Sequence, residues 1–491
     1  MVDSLSRLGL ESQTKTDEFS PLRQTVDELI DQWASSSPQQ RADVRSVIQS
    51  KLNQYSIPPS KGSLEAYIDQ WLEPLVLSAS GNADPCNLSN MTSVPLAWTA
   101  EFRRLSTLLN QNLVSAKSSG AFGECESAVL RDLYKVVFCR TAESKLVPGM
   151  LTSGGSMANL SALWIARNNR FPNGCSSDTP SAIVGSRLMH YSIAKAVDIL
   201  GLGPRALRFV ATDEDYRCDI AALRNELERL RAEGRNILAM VGVAGTTEFG
   251  SIDPLEEMGE LAEQFDCWFH VDAAWIGGAL FSAAYRTPLK GLERGDSIAL
   301  DCHKQMHLPV AQAMVLLRDA RTLTAIHHSA DYLFHDEEDR GLHAIDGSRD
   351  ASILLLHAAL HILGREGYAE LADRSLATAK DFADRLRSSE CFQLLSPPQS
   401  NLVAYRFVPP QSCTPRLQPL DPSVINRLNE QIFERQVREG RGRVSLSRVQ
   451  LEEEGPKNTI FRAVFSNPQT TLEDALLVLQ EQARYGRDAC H

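Results

Sequence analysis

From about residue 126 onward, short apolar runs alternate with stretches of helical period, and this alternation admits few folds. The runs Ala182–Val184, Ile237–Val243, Cys267–Val271, Ser297–Leu300 and Ala313–Leu317 are strand-length and free of Asp, Glu, Lys and Arg. Strands apolar on both faces need helices on both sides, so an α/β fold with a mostly parallel central sheet is expected. Between two runs, Asp253 suits an N-cap and Pro254 the first helical position. Leu255, Met258, Leu261, Ala262 and Phe265 then share one helical face. This reads as a β-α-β crossover delivering the chain to His270-Val271-Asp272. Further helices are expected over about 348–364 and 368–387.

At 491 residues the chain exceeds one core. The expected division is a helical N-terminal segment over 1–125, a large domain over 126–372 and a small α+β domain over 373–491. In the last, strand-like Asn401–Phe407 and Thr459–Phe465 flank a proline-rich stretch around Pro409–Pro422. The net charge of -12 argues against nucleic acid and anionic membrane surfaces as partners, since both select basic patches. No run approaches the roughly 18 apolar residues of a membrane span. The first twenty residues show no apolar signal region. Ten cysteines without a CxxC pair read as reduced thiols of a cytoplasmic protein, and no metal is expected.

Four local features carry chemistry. Thr152-Ser153-Gly154-Gly155-Ser156-Met157-Ala158-Asn159 places small residues at an apparent helix start, where backbone N–H groups cradle an anion. A capped loop would read the same. His190, beyond the strand Ala182–Val184, faces the crevice at a parallel strand's carboxyl end, where it could stack on a flat ring or be structural. Asp272 ends a buried strand and needs a partner: a protonated pyridine nitrogen, or a nearby Lys or Arg. At an effective dielectric near 20, unit charges about 4 Å apart gain roughly 4 kcal/mol, enough to keep a pyridine protonated as an electron sink. Ala274 leaves room for the ring's face. Lys304 follows a short apolar strand, and burial would favour the neutral amine that attacks an aldehyde.

Taken in order, these features resemble the group II pyridoxal 5′-phosphate (PLP)-dependent amino-acid decarboxylases, a branch of the aspartate-aminotransferase-like fold. The resemblance runs from about Met91 to the C-terminus, on Thr152–Asn159, His190–Ser192, Gly245–Asp253, Val271–Gly277 and His303-Lys304. It implies that Lys304 holds PLP as a Schiff base, Asp272 pairs the ring nitrogen and His190 stacks on the ring. Gly155 and Ser156 would hold the phosphate, with Gly154, Thr246, Ala274 and His303 among the cofactor-binding residues. It also implies a homodimer, formed through the N-terminal segment, with its site at the subunit interface.

Met91-Thr92-Ser93, Asn110–Val114, Asp346–Arg349 and Asn401–Pro409 resemble bacterial aspartate 1-decarboxylases, and Leu363–Tyr368 bacterial glutamate decarboxylases. Both imply an acidic amino acid: aspartate first, then glutamate or cysteine sulfinate. Thr92, Ser93, Asn112, Arg349 and Arg462 are the candidate substrate residues. Arg349 could grip a carboxylate or tie down its loop.

Two stretches depart from the family. Many members carry a mobile-loop tyrosine as proton donor; here Tyr332 matches the residue before that loop, and the loop holds His335 and His343 instead. Either histidine, or a group of the dimer partner, is expected to protonate Cα. Asp84-Pro85-Cys86-Asn87 replaces a His-Pro-aromatic pattern of many relatives. The missing tyrosine keeps open a PLP lyase, aminotransferase or decarboxylation-dependent oxidase on the same fold. A non-catalytic PLP-fold binding protein is the remaining class.

Overall fold

A computed structural model of the chain describes residues 20–58, 60, 63–174, 180–331, 339–410, 421–440, 442–451 and 455–490. The N-terminal segment is helical, with α1 (Ser20–Ser35), α2 (Pro38–Leu52) and α3 (Thr99–Leu109). Ser37 and Gln40 form a reciprocal cap that fixes where α2 begins. The segment also contributes the short strand β1 (Asn87–Leu88).

The central sheet contains β2 (Gly149–Thr152), β3 (Ser181–Ser186), β4 (Leu207–Val210), β5 (Asn236–Val243), β6 (Trp268–Asp272), β7 (Ser297–Asp301) and β8 (Ala313–Leu317). Its order is β2-β8-β7-β6-β5-β3-β4, and only β8 runs against its neighbours. All five apolar runs are strands. The two the sequence hid are edges: β2 and β4 have only four residues each, and β4 is interrupted by Arg208, with Phe209 exposed and Val210 buried. Helices α4 (Ala121–Phe138), α5 (Gly155–Arg170), α6 (Tyr191–Ile199), α7 (Ile220–Ala232) and α8 (Leu255–Phe265) complete this layer.

The apolar face expected of α8 is buried throughout, but its start differs. Pro254 takes the cap position and Asp253 turns inward. Its Oδ1 accepts the Cys218 N–H at 2.7 Å and its Oδ2 the Val243 N–H at 2.8 Å. Two buried strand-end donors outcompete the helix for that carboxylate, and burial raises its pKa to about 6.

Helix α9 (Ile353–Arg387) is two helices meeting at Gly364, whose φ is 61° and ψ -171°. It begins later than expected because Asp350 bridges to Asn112 and the Arg349 carbonyl accepts the Leu113 N–H. Tyr368, Ala372 and Leu376 pack in the large core; Ala379, Phe382, Ala383 and Leu386 pack in the C-terminal core. That second core lies on a sheet of β9 (Phe392–Leu394), β10 (Leu402–Phe407), β11 (Arg443–Gln450) and β12 (Lys457–Val464), with α10 (Pro422–Glu439) and α11 (Leu472–Ala489). The order is β1-β11-β12-β10-β9, so the N-terminal segment is stitched into the C-terminal sheet through β1.

Candidate active site

Parallel strands present their carboxyl ends to one crevice, and there a cavity of about 420 Å³ opens. The chain leaving β3 brings His190 to its wall, β5 brings Gly245 and Thr247, β6 ends on Asp272, and β7 ends on Asp301. Lys304 follows one turn after Asp301. Opposite stand Ser153, Gly154, Gly155 and Ser156 at the start of α5, with Met91, Leu188, Trp275 and Ala311 on the wall.

The start of α5 leaves first-turn N–H groups without intrahelical acceptors and adds the positive end of the helix dipole. A Cβ on Gly155 would come within 2.8 Å of Asp301 Oδ1 and 3.2 Å of the Ala274 Cβ. Glycine therefore keeps open the space between the helix start and Ala274. Lys304 Nζ lies 3.1 Å from Asp301 Oδ2, and His303 Nε2 lies 3.6 Å from the same oxygen. Asp301 Oδ1 is buried without a hydrogen-bond partner among the described residues.

Asp272 is 5% exposed. Its Oδ2 accepts from Asn159 Nδ2 at 2.8 Å and its Oδ1 from the Ala274 N–H at 3.2 Å. Both donors are neutral amides, so the alternative of a lysine or arginine partner is not what the fold supplies here. The His190 ring lines the cavity, with Nδ1 2.8 Å from Ser192 Oγ. Burial lowers its pKa, against the pull of the Asp272 carboxylate, and the neutral imidazole is favoured. An anion cradle, a flat slot beside Ala274, a strand-end carboxylate and an amine thus share one cavity, which is the donor set that PLP requires.

Several expected site residues stand elsewhere. Thr246 is fully buried, its Oγ1 2.7 Å from Ser251 Oγ and accepting the Ser251 N–H at 3.1 Å; its neighbours Gly245 and Thr247 line the cavity instead. Thr92 is exposed and Met91 takes the wall position. Ser93 braces the lysine loop: its Oγ donates to the Lys304 carbonyl and its N–H to that of His303. Asn112 accepts the N–H groups of Val114 and Arg349 and donates to Ser348 Oγ, closing a turn. Of the two roles expected for Arg349, its contacts are those of the loop tie. Its Nη1 donates to both oxygens of Glu126 at 3.1 and 3.2 Å, and the Glu126 side chain is fully buried. A buried carboxylate demands that cation, so Arg349 ties the loop and is not offered to a substrate.

Arg462 reaches the cavity rim indirectly. Its Nη1 donates to the carbonyl of Thr247, and burial lowers its pKa against the attraction of Glu248. His343 is not on the cavity wall; its ring lies 5.4 Å from that of His327. Burial, with the charges of His327 and Arg340, pushes its pKa down to about 4. His335, like Tyr332, lies outside the described residues. The sequence alone singles out neither Asn159, one turn into α5 at the end of the Thr152–Asn159 segment, nor Asp301, one turn before the lysine.

Residues 87–408 match the model of the pyridoxal-dependent decarboxylase conserved domain. The chain belongs to the pyridoxal-dependent decarboxylase family. Its cofactor is accordingly PLP, and the cavity fits it. This pyridoxal-dependent decarboxylase is 33% identical over 461 residues to the aspartate 1-decarboxylase of Aliivibrio fischeri, spanning 87% of this chain and 84% of that one. It is 31% identical over 413 residues to the L-2,4-diaminobutyrate decarboxylase of Rhizobium meliloti, spanning 82% and 81%. Human cysteine sulfinic acid decarboxylase is 28% identical, over 79% of each chain. The apo structure of mouse CSAD superposes with a TM-score of 0.85 at 25% identity, covering 96% of this chain and 99% of that one. Oryza sativa TDC with PLP and tryptamine shares the fold, with a TM-score of 0.86 at 20% identity, covering 98% and 100%. Among the described residues no helix is long and apolar enough to cross a membrane.

Proposed function

We propose that this decarboxylase removes the α-carboxylate of an acidic L-amino acid, L-aspartate first, giving β-alanine and CO₂, and works as a cytoplasmic homodimer. The observation that carries the substrate choice is the 33% identity, over 461 residues, to an aspartate 1-decarboxylase. Glutamate and cysteine sulfinate follow as acidic alternatives. The 31% identity to a diaminobutyrate decarboxylase supports a second reading, a cationic side chain.

When bound, PLP supplies the electron sink that accepts the electron pair left as CO₂ departs. Lys304 provides the amine that anchors the cofactor, and Ser93 fixes the backbone on which that amine is carried. Asp272, its two oxygens oriented by two amide donors, would face the ring nitrogen and favour a proton there. The first turn of α5, with Gly154, Gly155 and Ser156, would hold the phosphate, and His303 lines the same cavity. His190 and Ala274 bound the ring's plane, and Arg462 stiffens the rim through Thr247. With its pKa near 4, His343 is neutral at pH 7 and a poor acid, so proton return to Cα falls to His335 or to a group of the partner subunit.

The test is a product assay of the purified, PLP-loaded chain on L-aspartate, L-glutamate, cysteine sulfinate and L-2,4-diaminobutyrate, with CO₂ and amine both quantified. β-Alanine with the highest kcat/KM is the expected result. Dominant 1,3-diaminopropane would overturn the acidic assignment. CO₂ accompanied by aldehyde and ammonia would assign the oxidase class instead.

A further inference from the structure

Behind Asp272 lies a chain of buried polar groups whose hydrogen-bond directions can be worked out one by one. Trp268 Nε1, which can only donate, lies 2.7 Å from Ser297 Oγ. Accepting from the indole leaves the Ser297 hydroxyl its own hydrogen for His270 Nδ1, 2.9 Å away. His270 is fully buried, and burial lowers its pKa to about 4, against the pull of Asp272. A neutral ring accepting at Nδ1 carries its hydrogen on Nε2, which lies 2.9 Å from Asn159 Oδ1. That contact fixes which end of the Asn159 amide is oxygen. The NH₂ end then faces two acceptors, Asp272 Oδ2 at 2.8 Å and Ser192 Oγ at 2.9 Å. Having accepted from Asn159, the Ser192 hydroxyl donates to His190 Nδ1 at 2.8 Å, and the Ser192 N–H reaches the same nitrogen at 3.3 Å. His190 is left with its hydrogen on Nε2.

We propose that Asn159 is a positioning residue for the cofactor ring: one amide aims the Asp272 carboxylate and, through Ser192, sets the tautomer of His190. Trp268, Ser297 and His270 orient that amide from behind. Asn159 is 1% exposed, and its side-chain partners are Asp272, Ser192 and His270, the groups that would back the cofactor ring. The role is therefore the same whichever amino acid is accepted, and it does not depend on the aspartate assignment.

The experiment compares Asn159→Leu, His270→Leu and His270→Gln in the full-length chain. It reads equilibrium PLP affinity and the visible circular dichroism of bound cofactor, with thermal melting of the PLP-free protein as the folding control. Leucine at 159 removes both donors at similar size. Loss of a hydrogen bond to a charged group should weaken PLP binding about ten- to a hundredfold and reduce the dichroic band. His270→Gln keeps an N–H where Nε2 stood and should stay within about twofold of the parent, whereas His270→Leu should weaken binding roughly tenfold. Parent-like affinity in Asn159→Leu, or equal losses in the two His270 variants, would overturn the proposal. If Asn159→Leu fails to fold, the His270 pair decides alone.

Discussion

Lys304 and Arg349 are both basic residues placed near a loop by sequence, yet the fold gives them opposite tasks. Lys304 opens onto the cavity, with only Asp301 at 3.1 Å as its ion-pair partner among the described residues. Lys304→Ala should abolish the visible absorbance of bound cofactor after gel filtration and reduce turnover by orders of magnitude. Arg349 is spent on Glu126, so Arg349→Ala should destabilise the chain by about 3–5 kcal/mol, because a fully buried carboxylate loses its cation. Denaturant unfolding measures this. The Glu126→Leu, Arg349→Leu double variant should recover most of the loss, which a substrate-binding arginine would not predict. Lys304, Asp272 and His190 were legible because each follows a recognisable strand. The partner of Arg349 lies 223 positions away and had no local signature.

The inner strands of the large layer were legible because both their faces are buried and an unbroken apolar run fits that; β2 is buried too, but between Gly149 and Thr152 only Met150-Leu151 is a run. Edge strand β4 escaped because it is only four residues long, half-exposed, and carries Arg208 within it. Asp253 looked like a helix cap because caps and buried strand-end acceptors use the same side chain, and only the approach of Cys218 decides between them. A break between two helices is expected at about 365–367, and the structure has it at Gly364. At φ 61° and ψ -171° it occupies a backbone region open almost only to glycine, and a Cβ there would meet nothing within 4 Å. Gly364→Ala should therefore cost about 1–3 kcal/mol from backbone strain alone, read as a shift in urea midpoint with cofactor affinity unchanged.

Across the whole molecule, buried neutral histidines couple stability to pH. His307 is 7% exposed, and burial lowers its pKa from 6.5 to about 4; His270 behaves likewise. Between pH 6.5 and 4 the unfolded chain binds protons that the folded chain refuses, so each such histidine contributes stability that is lost as pH falls. The slope is up to about 1.4 kcal/mol per pH unit for each. Asp253, raised to about 6, acts in the opposite sense, losing stability as pH rises through that value. Unfolding of the parent and His307→Gln at pH 7, 6 and 5 isolates the histidine's share: the variant should be the less acid-sensitive of the two. The sequence by itself determined the layered α/β sheet, the break in the long helix and the ordered series from the α5 cradle to Lys304. Those depend on helix and strand periodicity and on chain direction, which act over a few residues. Only the tertiary structure decided which polar groups face the cavity and which are consumed in supporting it. Ser93 lies 211 positions from Lys304, and Asn159 lies 113 from Asp272. A desolvated polar group takes the partner that packing brings within about 3 Å, and sequence neighbourhood does not name that partner.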